Sequence, residues 1–290
     1  MFKGSIVAIV TPFQNGEVDE KRLKELIEFQ IANGTDGIVP CGTTGESATL
    51  THEEHHRVID FTIKVVDGRI PVIAGTGSNS TAESISLTRH AKAAGADGAL
   101  LITPYYNRPT QKGLVAHFRA VAEAVEIPMI IYNVPTRTGV NMLPESIAEL
   151  CTIPHLVGVK EASGSLQQIT ELITLCQDKI AVLSGDDFIV MPILSVGGKG
   201  VISVVANVAP RLMADLVDAF EAGDFMRASQ VQRDAFPLCQ AMFLETNPVP
   251  VKTALALMGK IDGELRLPLV GMAEGNLKKL KEVLARYRLI

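Results

Sequence analysis

The sequence predicts an α/β chain: a (β/α)8 TIM barrel followed by a C-terminal helical appendage. Short apolar runs rich in β-branched residues alternate with longer segments of helical period, and eight such runs fall between Ser5 and Ser203. The runs are continuously apolar rather than alternating, which is the signature of a parallel sheet covered on both faces by helices. After Asp224 the strand signals cease and only helical pattern remains. Eight βα units favour closure into a barrel, with an open doubly wound sheet as the alternative. The expected division is a barrel catalytic domain over residues 1–223 and a helical domain over 224–290.

Ser5 to Val10 is the first predicted strand, and Asp19 caps a helix whose Leu23, Leu26, Ile27 and Ile31 repeat at helical spacing until Gly34 ends it. Gly37 to Pro40 opens the second unit. Thr51 followed by Glu54 reads as a capping box for a helix with Val58, Ile59, Thr62 and Val66 on one side. Further strands are expected at Pro71 to Ala74, Gly98 to Ile102, Met129 to Asn133, Leu156 to Lys160, Ala181 to Ser184 and Gly200 to Ser203. The tail's helical pattern runs through Gln230 to Leu244, Lys252 to Met258 and Asn276 to Tyr287.

With 290 residues, 47% hydrophobic and 20% charged, the chain is long and apolar enough for a large core. A net charge of -5 without blocks of like charge points away from nucleic-acid or membrane surfaces and toward small molecules or copies of the chain itself as partners. The first apolar run reaches Thr11-Pro12 too soon for a signal segment and no later run is long enough to span a bilayer, so a cytoplasmic location is expected. Cys41, Cys151, Cys176 and Cys239 are widely spaced, without a CxxC pair or nearby histidines, and read as reduced thiols rather than metal ligands.

In a barrel the loops after the strands build the active site. The residues so placed are Thr11-Pro12, Gly42-Thr43-Thr44-Gly45-Glu46, Gly75-Thr76-Gly77, Pro104-Tyr105-Tyr106, Tyr132-Asn133, Lys160, Gly185-Asp186 and Ser203. Lys160 ends an apolar strand, where scarce water disfavours ammonium and a free amine able to form a Schiff base is the functional reading; a solvated lysine just past a strand is the bland one. Gly197-Gly198-Lys199-Gly200 precedes its strand and so belongs to the stability face. Gly75-Thr76-Gly77 lacks a third glycine and an acidic partner, so a tight turn letting backbone approach a ligand is expected there rather than a nucleotide site. His52 and His55 share a helix face but no carboxylate-histidine motif completes a ligand set, and no metal site is expected.

Gly42-Thr43-Thr44-Gly45-Glu46, Tyr132-Asn133-Val134-Pro135-Thr136-Arg137-Thr138-Gly139 and Val159-Lys160-Glu161-Ala162 resemble the motifs of the 4-hydroxy-tetrahydrodipicolinate synthase (dihydrodipicolinate synthase) family. Pro104-Tyr105-Tyr106-Asn107, Ser184-Gly185-Asp186-Asp187 and Asn247-Pro248-Val249-Pro250-Val251-Lys252 extend the resemblance over essentially the whole chain. It implies a lyase that condenses pyruvate with L-aspartate 4-semialdehyde on the way to diaminopimelate and L-lysine, as a homotetramer built as a dimer of dimers and without metal or organic cofactor. It also implies roles: Lys160 as the imine-forming amine, Tyr132 as proton shuttle, Thr44 linking it to Tyr106 of a neighbouring subunit, and Thr43, Gly185 and Ile202 around pyruvate.

Arg137 decides the substrate class, since its planar fork suits the carboxylate of the semialdehyde. An N-acetylneuraminate or keto-deoxy-sugar-acid lyase of the same superfamily is the enzyme alternative, and a catalytically silent, amino-acid-sensing barrel is the non-enzyme one. Ser47, Ala48, His52, His55, Asn79, Glu83 and Tyr105 match the effector site of the family's lysine-sensitive branch, which implies allosteric inhibition by L-lysine. Each also has a bland reading: Ser80 with Glu83 as a capping box, His52 and His55 on a surface helix, and Tyr105 packing at a subunit contact.

Overall fold

The computed structural model describes residues 2–290. Eight parallel strands, β1 (Gly4–Ala8), β2 (Gly37–Val39), β3 (Ile73–Gly75), β4 (Gly98–Ile102), β5 (Met129–Asn133), β6 (Leu156–Glu161), β7 (Ala181–Ser184) and β8 (Gly200–Ser203), hydrogen-bond in the order β2-β1-β8-β7-β6-β5-β4-β3. An Ile38 to Val72 bridge joins β2 to β3 and closes the ring. The barrel, not the open sheet, is therefore the fold. A two-stranded ribbon, Phe13–Gln14 with Glu17–Val18, follows β1.

The helices begin with α1 (Glu20–Ala32), α2 (His52–Val66), α3 (Thr81–Ala94), α4 (Gln111–Ala124) and α5 (Pro144–Leu150). Then come α6 (Leu166–Cys176), α7 (Val190–Ser195) and α8 (Pro210–Glu221), and the tail adds α9 (Phe225–Met242), α10 (Val249–Leu257) and α11 (Glu274–Arg286). Local chemistry accounts for the starts. Asp19 accepts from the Arg22 N–H, and the Thr51/Glu54 capping box is complete. Asp224 caps α9 through the Arg227 N–H, so that helix begins five residues before the apolar repeat that announced it. No helix among the described residues is long and apolar enough to cross a membrane.

Strand alternation sorts the core. Ile6, Ala8, Val39, Ile73, Leu100, Ile130, Tyr132, Leu183 and Ile202 fill the barrel interior. Their outward neighbours, such as Ile131, Val159 and Val182, pack beneath the helices. In the ladder Tyr132 pairs with Lys160 and Lys160 with Leu183, so the inward-facing set at this level includes the lysine. Asn133, one residue on, faces the other way. Its amide donates to Glu161 Oε2 at 3.0 Å and to Asn141 Oδ1 at 2.8 Å, so it belongs to the wall rather than to the mouth for which its strand-end position marked it.

Candidate active site

Lys160 is 5% exposed and its Nζ lies 4.2 Å from the centre of the Tyr132 ring. Burial lowers its pKa to about 8; the Asp187 carboxylate opposes that shift and the Arg137 guanidinium adds to it. The free amine is therefore more accessible near neutral pH than for an ordinary lysine. Burial pushes the Tyr132 phenol up, while Arg137 and a hydrogen bond with the Thr43 side chain pull it down. Gly185 sits where a Cβ would lie 2.7 Å from Ala162 Cβ and 3.2 Å from Lys160 Cε, so its lack of a side chain is what leaves room beside the amine.

A second lysine is equally buried and chemically different. Lys252, 0% exposed, is 2.5 Å from Glu46 Oε1, and that carboxylate is 1% exposed. Burial pushes the Lys252 pKa down while the adjacent Glu46 carboxylate opposes that shift and occupies the amine, whereas the 5%-exposed Lys160 forms no ion pair among the described residues. Burial alone does not distinguish the nucleophile; burial without an ion-pair partner does.

Beside these groups lies a cavity of about 490 Å³ lined by Thr43, Tyr132, Arg137, Thr138 and Asn247, and also by Ser47, Ala48, His52, His55, Glu83 and Tyr105. Six of the seven effector candidates thus share one continuous space with Thr43, Tyr132 and Arg137, whereas Lys160, Thr44, Gly185 and Ile202 are not among its lining residues. Arg137 stands on the turn Pro135–Thr138, whose first residue fixes the backbone φ for a helical turn, and its Nη2 donates to the Asn247 carbonyl at 3.0 Å.

A family model described as the dihydrodipicolinate synthetase family matches residues 1–287. The chain belongs to that family. The 4-hydroxy-tetrahydrodipicolinate synthase of Syntrophus aciditrophicus strain SB is 64% identical over 290 residues, which is the whole of both chains. The chloride-inhibited dihydrodipicolinate synthase of Acinetobacter baumannii, solved with pyruvate, superposes with a TM-score of 0.98 at 47% identity over 100% of both chains. The enzyme of Cyanidioschyzon merolae, solved with lysine bound, gives 0.97 at 39% identity, covering 100% of this chain and 99% of that one.

The residues to which the family resemblance gives roles stand in different surroundings. Thr44 accepts a hydrogen bond from Asn247 Nδ2 at 3.0 Å, and the Thr43 side chain is among the groups that hold the Tyr132 phenol down. Tyr106 is 89% exposed and does not line the cavity of its own chain. Its φ of +72° is a conformation a tyrosine rarely adopts, and the loop is tied down by the Asn107 amide on the Asn79 carbonyl at 2.9 Å. Ile202 is buried in the barrel interior.

At the effector positions His52 is largely exposed, with Nε2 2.9 Å from Glu83 Oε1. His55 is not on the surface. It is 5% exposed, its Nε2 donates to the Gly75 carbonyl at 2.8 Å, and burial lowers its pKa to about 4, so it is neutral with an unpartnered Nδ1. The two histidines therefore do not present one common face to solvent. Ser80 caps α3 through the Glu83 N–H, but the Glu83 carboxylate turns to Ser78 and His52 instead of closing a capping box. Asn79 does not line the cavity; its Nδ2 donates to the Tyr105 carbonyl at 3.1 Å.

Gly75 and Gly77 both line the cavity, and both also lie tight against neighbouring backbone. A Cβ would come within 2.2 Å of the Cys41 carbonyl oxygen and of the Ile102 N, respectively. Lys199 is held at the strand-entry end of the barrel, where its N–H donates to the Val182 carbonyl at 2.8 Å. Missed in the sequence were the tail's contributions: Asn247 on Thr44 and Arg137, Lys252 on Glu46, and Arg266, whose N–H reaches Glu46 Oε2 at 3.2 Å.

Proposed function

We propose that this chain condenses pyruvate with L-aspartate 4-semialdehyde to 4-hydroxy-tetrahydrodipicolinate through an imine on Lys160. The observation that carries the assignment is a buried lysine without a carboxylate partner beside a buried tyrosine, in a chain of this family. The free amine of Lys160 attacks the ketone carbon of pyruvate, and loss of water leaves a protonated imine. Its positive nitrogen withdraws electrons, the methyl carbon gives up a proton, and the resulting enamine attacks the aldehyde carbon to form the new carbon–carbon bond. Tyr132 relays protons, with Thr44 linking it to Tyr106 of a neighbouring subunit; Thr43, Gly185 and Ile202 frame pyruvate, and Arg137 takes the carboxylate of the second substrate, a reading supported by the room that Gly185 leaves beside the amine and by Thr43, Tyr132 and Arg137 lining one cavity. Residues 1–223 are taken as the catalytic barrel and 224–290 as the helical unit that braces its mouth, in a cytoplasmic enzyme.

Borohydride reduction with pyruvate, followed by mapping of the digest, tests the first step. The expected label is on Lys160 alone, and its rate of formation rises with pH through about 8 as the amine deprotonates. A label on Lys252 or Lys199 removes the basis of the scheme.

Tyr106 is exposed and does not line its own chain's cavity, so it is proposed to complete the site of a neighbouring subunit in a homotetramer arranged as a dimer of dimers. Lys160→Ala chains reassembled with Tyr106→Phe chains are then expected to regain activity that neither variant has alone, because one class of mixed site holds both groups. Mixed oligomers, verified by mass, that stay inactive overturn the sharing.

The second arm of the cavity is proposed to bind L-lysine as a feedback inhibitor. Glu83 offers a carboxylate to the effector's ammonium, and Ser47, Ala48, His52, His55, Asn79 and Tyr105 surround or support that arm. Tyr105 adjoins Tyr106, which gives a bound effector a route to the proton relay, provided it binds a less active state more tightly. Lysine titrated at saturating pyruvate is expected to inhibit wild type at least tenfold more strongly than Glu83→Ala. Equal inhibition of the two, or none at millimolar lysine, counts against the site.

A further inference from the structure

Cys151 and Cys176 are 25 positions apart in the sequence, and nothing in their spacing marks them as a pair. The fold brings them together. Cys151 caps the C-terminus of α5, Cys176 is the last residue of α6, the two helices pack against each other, and the sulfurs stand 3.1 Å apart. Cys176 is fully buried while Cys151 is half-buried, so one member of the pair meets solvent and the other meets only its partner. The remaining cysteines differ. Cys41 and Cys239 are buried with their thiols 3.6 Å from the His55 carbonyl and 3.7 Å from the Asp187 carbonyl.

We propose that Cys151 and Cys176 form a peroxide-sensitive dithiol that closes to a disulfide and clamps α5 to α6 around β6, the strand that carries Lys160. Cys151 is the sulfur that a hydroperoxide in solvent can reach, and its hydrogen-bonded contact with Cys176 and the nearby Lys179 ammonium hold its thiol low against the upward pull of burial, whereas Cys176 is pushed up. Cys151 is thus the attacking sulfur and Cys176 the resolving one. The Cys151 thiolate breaks the O–O bond of a hydroperoxide, keeps one oxygen as a sulfenic acid and expels the other as hydroxide or alkoxide, which takes up a proton. The Cys176 sulfur then displaces the sulfenic oxygen, which leaves as water once protonated, and the S–S bond forms. Two electrons pass from the sulfurs to the peroxide; a dithiol reductant returns them by exchange.

The bridge encloses all of β6 and α6 in one covalent loop, so it constrains the unfolded chain in the segment that delivers the nucleophile. Two thiols in mere packing contact would not cross-link on oxidation.

The folded full-length chain is exposed to hydrogen peroxide, quenched with iodoacetamide and digested without reductant. The expected product is a Cys151–Cys176 peptide pair lighter by two hydrogens than its separate thiols, abolished by dithiothreitol and absent from Cys151→Ser. Its formation is expected to raise the melting midpoint by several degrees, reversibly, with Cys41 and Cys239 alkylated only after unfolding. Overturning results are sulfinic or sulfonic acid on Cys151 without a cross-link, a bridge between two chains, or two thiols that remain alkylatable after treatment. Should Cys151→Ser fail to fold, Cys176→Ala takes its place, and the wild-type cross-link remains decisive without either variant.

Discussion

Arg137→Ala is expected to lower kcat/KM for L-aspartate 4-semialdehyde by roughly 100-fold, about 2.7 kcal/mol of transition-state stabilisation, while borohydride trapping of pyruvate on Lys160 still goes to completion. The asymmetry follows from the geometry. Arg137 lines the cavity beyond Tyr132, with one Nη held by the Asn247 carbonyl at 3.0 Å and the remaining donors of its fork available to a carboxylate. The substitution has a second, smaller signature. The guanidinium is one of the causes that lower the Lys160 pKa, so its removal moves that pKa up and shifts the rate of trapping toward higher pH. Arg137→Lys retains that charge but loses the planar fork; it should preserve the trapping profile and recover only part of the condensation. If trapping and condensation fall together in Arg137→Ala, the arginine does not divide the two substrates as assigned.

What the sequence made legible was whatever is encoded locally. Met129–Asn133, Ala181–Ser184 and Gly200–Ser203 stand where continuous apolar runs place them, because a strand buried on both faces has no other composition to show. Lys160 was legible for the same reason, as a charge closing such a run, although the strand continues one residue further to Glu161. His55 was not. Helical spacing puts it beside His52, and only the carbonyl of Gly75, on a neighbouring strand, turns it inward. Tyr106 was legible as a motif residue, but a strained exposed backbone is a property of the folded loop alone. Least legible was the tail: Asn247, Lys252 and Arg266 reach residues more than 200 positions away, and helical periodicity reports which face of a helix is apolar, not which distant carboxylate it meets.

That tail contact leads to the largest expected loss of stability. Lys252→Met is expected to destabilise the fold by about 3–5 kcal/mol, because it leaves the Glu46 carboxylate buried without its cation. The neighbourhood offers no ready substitute. Lys252 Nζ sits 4.2 Å from the Phe13 ring centre, and the other Glu46 oxygen already accepts from the Arg266 N–H at 3.2 Å. Arg266 itself is committed to Glu54, with 2.5 Å to Oε1 and 2.6 Å to Oε2. A buried pair of this kind does not by itself make a protein more stable than apolar packing would; the cost lies in breaking it from one side. The double variant Glu46→Leu with Lys252→Met is therefore expected to recover most of the lost stability in denaturant melts. It is not expected to recover activity. Glu46 ends the loop Gly42-Thr43-Thr44-Gly45-Glu46 in a left-handed conformation, φ +51°, and the Thr43 and Thr44 hydroxyls lie three and two residues before it. A raised KM for pyruvate in a well-folded double variant would separate positioning of the threonines from stability. A Lys252→Met protein that melts with wild type would mean that Glu46 finds water or a proton in place of the lysine, and that the tail does not hold the mouth of the barrel.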